Sequence, residues 1–330
     1  MHPIDQVKCA TRAGDFTIQL RTFSPDMILA LHIPDGFLSV PVDAVGWLLA
    51  ILAIGLALRA TGSELGERQA PWLGILAAFI FAAQAINFPV AAGTSGHLLG
   101  GALAAIVAGP AAAILVMTCV IALQALLFQD GGLLVMGWNI VNMGVLTALV
   151  GSTVYRLAPS GPTLKLAAAF LAAWLSVVVS SMACALELAA SGTSPLQVGL
   201  PAMAGVHSVI GLGEALITVF FLAYVMKVRP DALAEQKGPA PVFLAGLSVA
   251  LLVALCAPLA SSSPDGLEAV AERQGFLQAA QEPPFRLLSD YTVPGVSHEV
   301  ATTLVAVALG TVLVGLMGLA LGRTLARRHA

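Results

Sequence analysis

Residues 110–128 read Pro-Ala-Ala-Ala-Ile-Leu-Val-Met-Thr-Cys-Val-Ile-Ala-Leu-Gln-Ala-Leu-Leu-Phe. This run contains no charged side chain, and as a helix it is long enough to cross the roughly 30 Å hydrocarbon core of a bilayer. The whole chain of 330 residues is 58% hydrophobic and only 10% charged, and its mean hydropathy is +0.92. Such a composition lies far outside that of soluble globular proteins. We therefore predict an all-α, polytopic membrane helix bundle.

Other apolar segments extend this prediction along the chain. About nine of them are candidate membrane spans, at residues 42–59, 72–91, 98–109, 110–128, 134–155, 164–190, 203–227, 242–260 and 299–322. Segment 98–109 is too short to cross alone, and it ends at Gly109-Pro110, so we expect a tilted, partly buried or re-entrant helix there. We predict about seven transmembrane helices within residues 31–237 and a two-helix module at 242–330. Residues 238–241 form a linker, and residues 1–30 form an N-terminal extension.

The distribution of positive charge predicts the orientation, because Lys and Arg of short loops stay on the cytoplasmic side. If His32 is outside and all nine segments cross, the external side keeps only Arg273 and Arg286, apart from the N-terminal stretch. The cytoplasmic side then receives Arg59, Arg68, Arg156, Lys165, Lys227, Arg229, Lys237, Arg323, Arg327 and Arg328. We therefore expect a protein of the inner (plasma) membrane with a cytoplasmic C-terminus. The same topology places four histidines at external helix ends or loops, namely His32, His97, His207 and His298.

Several classes of protein are disfavoured by the same composition. The formal net charge of -3 gives no reason to expect nucleic acid as a partner. The four cysteines are far apart and predict neither a disulfide framework nor a zinc site. No Gly-x-x-x-x-Gly-Lys-Ser/Thr phosphate loop occurs, so the chain does not hydrolyse ATP by that route. We predict that the chain is not an enzyme and has no cofactor of its own.

Two histidines indicate a metal site. His32 opens the octapeptide His-Ile-Pro-Asp-Gly-Phe-Leu-Ser at 32–39, and His97 ends the turn Gly-Thr-Ser-Gly-His at 93–97. Imidazole binds nickel, cobalt, copper and zinc, and four nitrogen donors in a plane favour Ni(II) or Cu(II) over zinc. Two imidazoles at external helix ends therefore suggest a metal site supplied from outside.

The octapeptide closely resembles the start of the CbiM/NikM family, the substrate-capturing subunits of cobalt and nickel energy-coupling factor (ECF) transporters. Further family positions follow in order at Gln-Ala-Leu-Leu (124–127), Gly-Gly (131–132), Gly-Trp-Asn (137–139), Met143 and His-Ser-Val-Ile-Gly-Leu-Gly-Glu-Ala (207–215). The Pro-Asp-Gly-Leu-Glu run at 264–268 resembles the hallmark of the two-span accessory subunit, NikN or CbiN. The chain therefore looks like a capture subunit at 31–237 fused to an accessory subunit at 242–330.

The resemblance implies a particular set of metal ligands. Leu31 would donate a free terminal amine, His32 its amide and ring nitrogens, and His97 the fourth nitrogen. An internal Leu31 has no free amine, however, and thirty residues precede it here. We therefore expect either translation from codon 31 or cleavage after Ala30, and N-terminal sequencing or intact mass would decide between these and a retained extension.

Three more residues are candidates for a supporting or structural role at this site, and the sequence leaves open whether His207 and Glu214 contact the metal. Helical spacing places His207 and Glu214 on one face of their segment, and Asn139 belongs to a family motif. An ionisable residue inside a membrane helix is a functional candidate by default. A structural acid that holds helices together is the alternative role of Glu214, and the sequence leaves both open.

The resemblance implies the substrate-specific subunit of an ATP-driven ECF importer that captures Ni(II) or Co(II), with a transmembrane coupling subunit and ATPase subunits as partners. A self-sufficient secondary transporter or channel is the alternative. Such a carrier usually shows mid-membrane acids and inverted repeats, whereas we count Glu187 and Glu214 as acids within spans and find no clear repeat. A third class is a rhomboid-like intramembrane protease with Ser95 of Gly-Thr-Ser-Gly as nucleophile and His207 as base. The choice between nickel and cobalt stays open.

Overall fold

The computed structural model describes residues 32–64, 70–90, 93–228 and 240–327. Two helices come first, α1 (Val40–Glu64) and α2 (Ala70–Gln84), followed by the short antiparallel strands β1 (Phe88–Pro89) and β2 (Ser95–Gly96). The remaining helices are α3 (Gly101–Ala108), α4 (Pro110–Phe128), α5 (Met136–Leu157), α6 (Pro162–Ala190), α7 (Leu196–Val228), α8 (Ala240–Ala254), α9 (Gly266–Gln274) and α10 (Glu299–Arg327). The prediction of an all-α membrane bundle is confirmed.

Seven helices of the described residues are long and apolar enough to cross a membrane. They include the two C-terminal helices, so the region from residue 32 to residue 228 contributes five helices of that length together with the shorter α2 and α3. Helix α3 has eight residues, about 12 Å at 1.5 Å per residue, and does not cross by itself. The φ angles of Gly100 and Gly109 are +82° and +83°, which ends the helix on both sides. The topology of nine crossings is therefore not reproduced, and the orientation of the chain stays a prediction.

Two membrane helices change their winding near the candidate site. Helix α4 ends in a π-helical turn at Gln124–Phe128, and α5 contains another at Ile140–Leu146. A π-turn inserts an extra residue into an α-helix and often marks a functional position. Gln124 begins the first of these turns, and its carbonyl accepts a hydrogen bond from the Asp130 nitrogen in the loop after α4 at 3.1 Å.

The C-terminal module packs closely on the rest of the bundle through α2, which contacts both α8 and α10. A β-carbon on Gly318 of α10 would lie 2.9 Å from the Leu73 carbonyl oxygen, and one on Gly322 would lie 2.8 Å from the Ala70 α-carbon. Small residues thus allow two helix backbones to approach each other, as is common in membranes. Ala240 already belongs to α8, so the helix overlaps the predicted linker at 238–241.

The octapeptide after residue 31 is folded into the protein interior. Asp35 accepts hydrogen bonds from the backbone nitrogens of Leu133, Leu134 and Val135 at 2.8 to 3.2 Å. Ile33 and Phe37 are each only 1% exposed. Because its polar and apolar side chains are both anchored, the octapeptide holds His32 in one position inside the bundle.

Candidate metal centre

The structure brings the two predicted histidine ligands together. His32 is fully buried and His97 is 3% exposed, and their ring centroids lie 5.8 Å apart with the ring planes within 8° of each other. A nitrogen–metal distance of about 2.0–2.1 Å places two imidazoles on one ion with centroids roughly 4.5 to 6.4 Å apart, depending on the angle at the ion. The observed separation lies between the values for adjacent and for opposite ligands of a planar ion.

His97 is held by the backbone around it. Its Nδ1 lies 2.9 Å from the Leu98 carbonyl oxygen, which can only accept, so the proton is on Nδ1 and the lone pair is on Nε2. Burial, reinforced by the nearby His32 ring, lowers the pKa of His97 to about 4. The ring is therefore neutral at pH 7, the state in which imidazole binds a metal.

His32 has a polar partner at each ring nitrogen. Its Nε2 lies 3.1 Å from Gln124 Oε1, and its Nδ1 lies 3.0 Å from Asp130 Oδ1. Both partners accept hydrogen bonds, so Gln124 holds a proton on Nε2, and a metal ion at Nδ1 would replace the proton that Asp130 faces there. Burial by itself would raise the pKa of Asp130, but the His32 ring and the Tyr291 hydroxyl outweigh it and lower that pKa below its ordinary value.

A residue of the C-terminal module completes a ring of side chains around this group. Tyr291 donates its hydroxyl proton to Asp130 Oδ2 at 2.7 Å, and Gln124 Nε2 donates to the Tyr291 oxygen at 3.4 Å. With the two His32 contacts, these bonds form a closed ring of His32, Asp130, Tyr291 and Gln124. Sequence reasoning assigned no role to Asp130 or Tyr291. Gln124 stood in a quoted motif, and the acidic Asp130, three residues after the end of that motif, was a signal that the sequence offered for this contact.

Asn139 and Glu214 support the backbone on either side of the two rings. Asn139 Oδ1 accepts from the Ile33 nitrogen at 2.8 Å, and its Nδ2 donates to the Ile33 oxygen at 3.1 Å. Glu214 accepts from the backbone nitrogens of Leu99 and Gly100 at 2.6 and 2.9 Å. Both side chains thus orient the segment next to a histidine, which favours the structural role for Glu214.

His207 lies near His97 but makes a different set of contacts. Its Nδ1 is 2.8 Å from the Met203 carbonyl oxygen, and its ring borders a small cavity shared with His97. The Ser95 hydroxyl donates to the Ser263 carbonyl at 2.7 Å. These bonds direct the serine and the histidine to different partners, so the geometry gives no support to a Ser95–His207 protease dyad.

Side chains alone do not complete a metal site in the described part of the chain. No group of three or more His, Cys, Asp or Glu side chains is placed there to hold a metal ion. A metal at His32 and His97 would therefore need donors of another kind, and the backbone nitrogens at residues 31 and 32 are the donors that the family resemblance implies. Leu31 lies outside the described residues.

Seven described helices long and apolar enough to cross a membrane, and likeness to a solved metal transporter, place the chain among multi-pass membrane proteins of the metal-transport class. A solved structure described as a truncated transition metal transporter has a TM-score of 0.54 with this chain, 31% identity, and coverage of 59% of this chain and 98% of the other.

The chain belongs to the CbiM family. The family model described as cobalt uptake substrate-specific transmembrane region matches residues 32–232, and a PDGLE domain model matches residues 240–327. A putative fused nickel transport protein NikMN of Archaeoglobus fulgidus is 34% identical over 89% of this chain and 98% of its own length. A cobalt transport protein CbiM of Sorangium cellulosum is 32% identical over 62% of this chain and 94% of its own length. The resemblance inferred from the octapeptide and the Pro-Asp-Gly-Leu-Glu run is confirmed.

Proposed function

We propose that this chain is the substrate-specific subunit of an ATP-driven ECF importer, and that it captures Ni(II) or Co(II) from the external side of the plasma membrane. The observation that carries this proposal is the buried pair of His32 and His97, held at a spacing that one ion can bridge. Relatives named as nickel and as cobalt transport proteins support a metal substrate.

In this proposal the ion is bound by four nitrogens. His32 gives Nδ1 and its amide nitrogen, His97 gives Nε2, and Leu31 gives a terminal amine after re-initiation or cleavage. Four nitrogen donors in a plane suit Ni(II), and Co(II) can share them. Gln124, Asn139 and Glu214 then fix the rings and the adjacent backbone, in the way that outer hydrogen bonds orient metal ligands.

Uphill transport requires a source of energy, and we propose that partner subunits supply it. A transmembrane coupling subunit and ATPase subunits fill this role in the proposed complex. A stand-alone carrier is disfavoured because one of the two acids counted within the spans, Glu214, has both carboxylate oxygens bonded to backbone nitrogens. Metal uptake by cells that carry this gene without ATPase partners would overturn the coupling proposal.

Equilibrium binding of Ni(II) and Co(II) tests the capture site directly. The protein is purified, its N-terminus is determined by intact mass, and the metal affinity is compared with that of His97→Ala. Loss of one ligand in four should weaken binding by more than about tenfold, or roughly 1.4 kcal/mol. His298→Ala is the matched control, because His298 is an exposed histidine of the C-terminal module and should leave the affinity unchanged. Equal affinities of His97→Ala and the unmodified protein would refute the site.

A further inference from the structure

A turn of the C-terminal module, residues 261–266, lies against the strand that leads into His97. The Ser95 nitrogen of β2 donates to the Pro264 carbonyl oxygen at 2.8 Å, and the Ser95 hydroxyl donates to the Ser263 carbonyl oxygen at 2.7 Å. Because β1 already pairs with one edge of β2, the 261–266 turn covers the other edge. The short strand before His97 is thus bonded on both sides.

The residue types of the Pro-Asp-Gly-Leu-Glu run suit this contact. Asp265 accepts a hydrogen bond from a backbone nitrogen in the first turn of α9 at 2.7 Å, so the helix starts directly after the turn. A β-carbon on Gly266 would lie 2.7 Å from the His207 ring and 2.8 Å from the Ile210 side chain. The same Ile210 side chain lies beside Gly96 of β2, where a β-carbon would approach it to 2.5 Å. Any side chain at position 266 would therefore push the turn away from α7 and β2.

His97 is held from both directions along the chain. On the side that follows the histidine, Glu214 of α7 accepts hydrogen bonds from two backbone nitrogens. On the side that precedes it, the 261–266 turn binds Ser95, which is fully buried. A metal ligand has to be held within about 0.5 Å of its working position. Loss of either support would therefore displace the ring nitrogen of His97 from the ion.

We propose that the 261–266 turn is a positioning element for His97, through which the C-terminal module strengthens metal binding without supplying a ligand. The turn acts through its two hydrogen bonds to Ser95 and through the close packing of Gly266 on α7. The module then supports both histidines, since Tyr291 belongs to the ring of side chains around His32. This inference rests on the proposed function, because it takes His97 as a metal ligand.

Ni(II) binding to the full-length protein tests the inference through a double-mutant cycle. Gly266→Ala should displace the turn and weaken Ni(II) binding by at least about tenfold, as the loss of other supports of metal ligands does. In the His97→Ala background the same substitution should have almost no further effect, because the ligand that the turn positions is gone. The d–d absorption of Ni(II) depends on the geometry of its ligands, so in Gly266→Ala it should shift toward the spectrum of His97→Ala. Ser95→Ala removes the hydroxyl bond alone and should show the same pattern with a loss of about two- to tenfold, which decides the question if Gly266→Ala does not fold.

Gly322→Ala is the matched control in the same module. Its β-carbon would lie 2.8 Å from the Ala70 α-carbon, so the variant should have a lower melting temperature but an unchanged affinity and spectrum of bound Ni(II). Unchanged affinity in both Gly266→Ala and Ser95→Ala, or equal losses with and without the His97 side chain, would refute the positioning role. A loss in Gly322→Ala as large as that in Gly266→Ala would also refute it. If His97→Ala itself binds Ni(II) like the unmodified chain, the proposed capture site fails instead.

Discussion

Tyr291→Phe tests whether the C-terminal module contributes to the capture site. The substitution deletes the hydroxyl that donates to Asp130 Oδ2 at 2.7 Å and accepts from Gln124 at 3.4 Å. A hydrogen bond to a charged group contributes about 1.5–3 kcal/mol, whereas the longer bond adds little. If Asp130 no longer orients His32, this free energy corresponds to about 10- to 150-fold weaker metal binding, similar to the roughly 10- to 100-fold effect of other outer hydrogen bonds at metal sites.

Isothermal titration with Ni(II) measures this loss, and thermal unfolding of the metal-free protein verifies that the variant is folded. Tyr224→Phe is the matched control, since Tyr224 on α7 is 65% exposed and should bind Ni(II) like the unmodified protein. An affinity of Tyr291→Phe within about twofold of the unmodified chain would show that the ring of side chains has no part in holding His32.

The other predictions concern the supports of the site and the packing of the bundle. Asn139→Ala removes both hydrogen bonds to Ile33 and should weaken Ni(II) binding by about tenfold, measured by the same titration. Burial lowers the pKa of His97 to about 4 from its ordinary 6.5. As the pH falls, the unfolded chain therefore binds a proton at His97 before the folded chain does. The His97 contribution to metal-free stability is therefore complete above about pH 6.5 and declines toward pH 4; unfolding against pH should show this decline, and His97→Gln should reduce it. Gly318→Val should lower the melting temperature by forcing helices apart, whereas Gly55→Ala, with open space around it, should not.

Much of the fold followed from local sequence. Long uncharged runs such as 110–128 have few alternatives to a membrane helix, because every backbone polar group must be satisfied within the segment. Whether residues 98–109 cross the membrane was harder to predict. Their apolar composition fits a membrane span, but Gly100 and Gly109 limit α3 to eight residues. Helix α2 is likewise shorter than its apolar segment, since the chain leaves the helix after Gln84 and enters β1.

The residues of the candidate site can likewise be divided into those that local sequence predicted and those that it did not. His32, His97 and Asn139 were found because they lie in short motifs that resemble a known family. Tyr291 was not assigned to a site, since its partner is distant in the chain: 161 residues separate Asp130 from Tyr291. Neither helical periodicity nor a short motif can predict such a contact. Glu214 was predicted only in part. Its position near the site followed from the sequence, but its role depended on which backbone nitrogens donate hydrogen bonds to it.

The sequence by itself determined that the chain is a helical membrane protein of a metal-transport family with a paired-histidine site, because hydropathy and compact motifs are local properties. The tertiary structure alone decided that the C-terminal module reaches this site through Tyr291. The physical reason is that helix packing, set here by the small residues that let α10 approach α2, brings together side chains that local sequence does not relate.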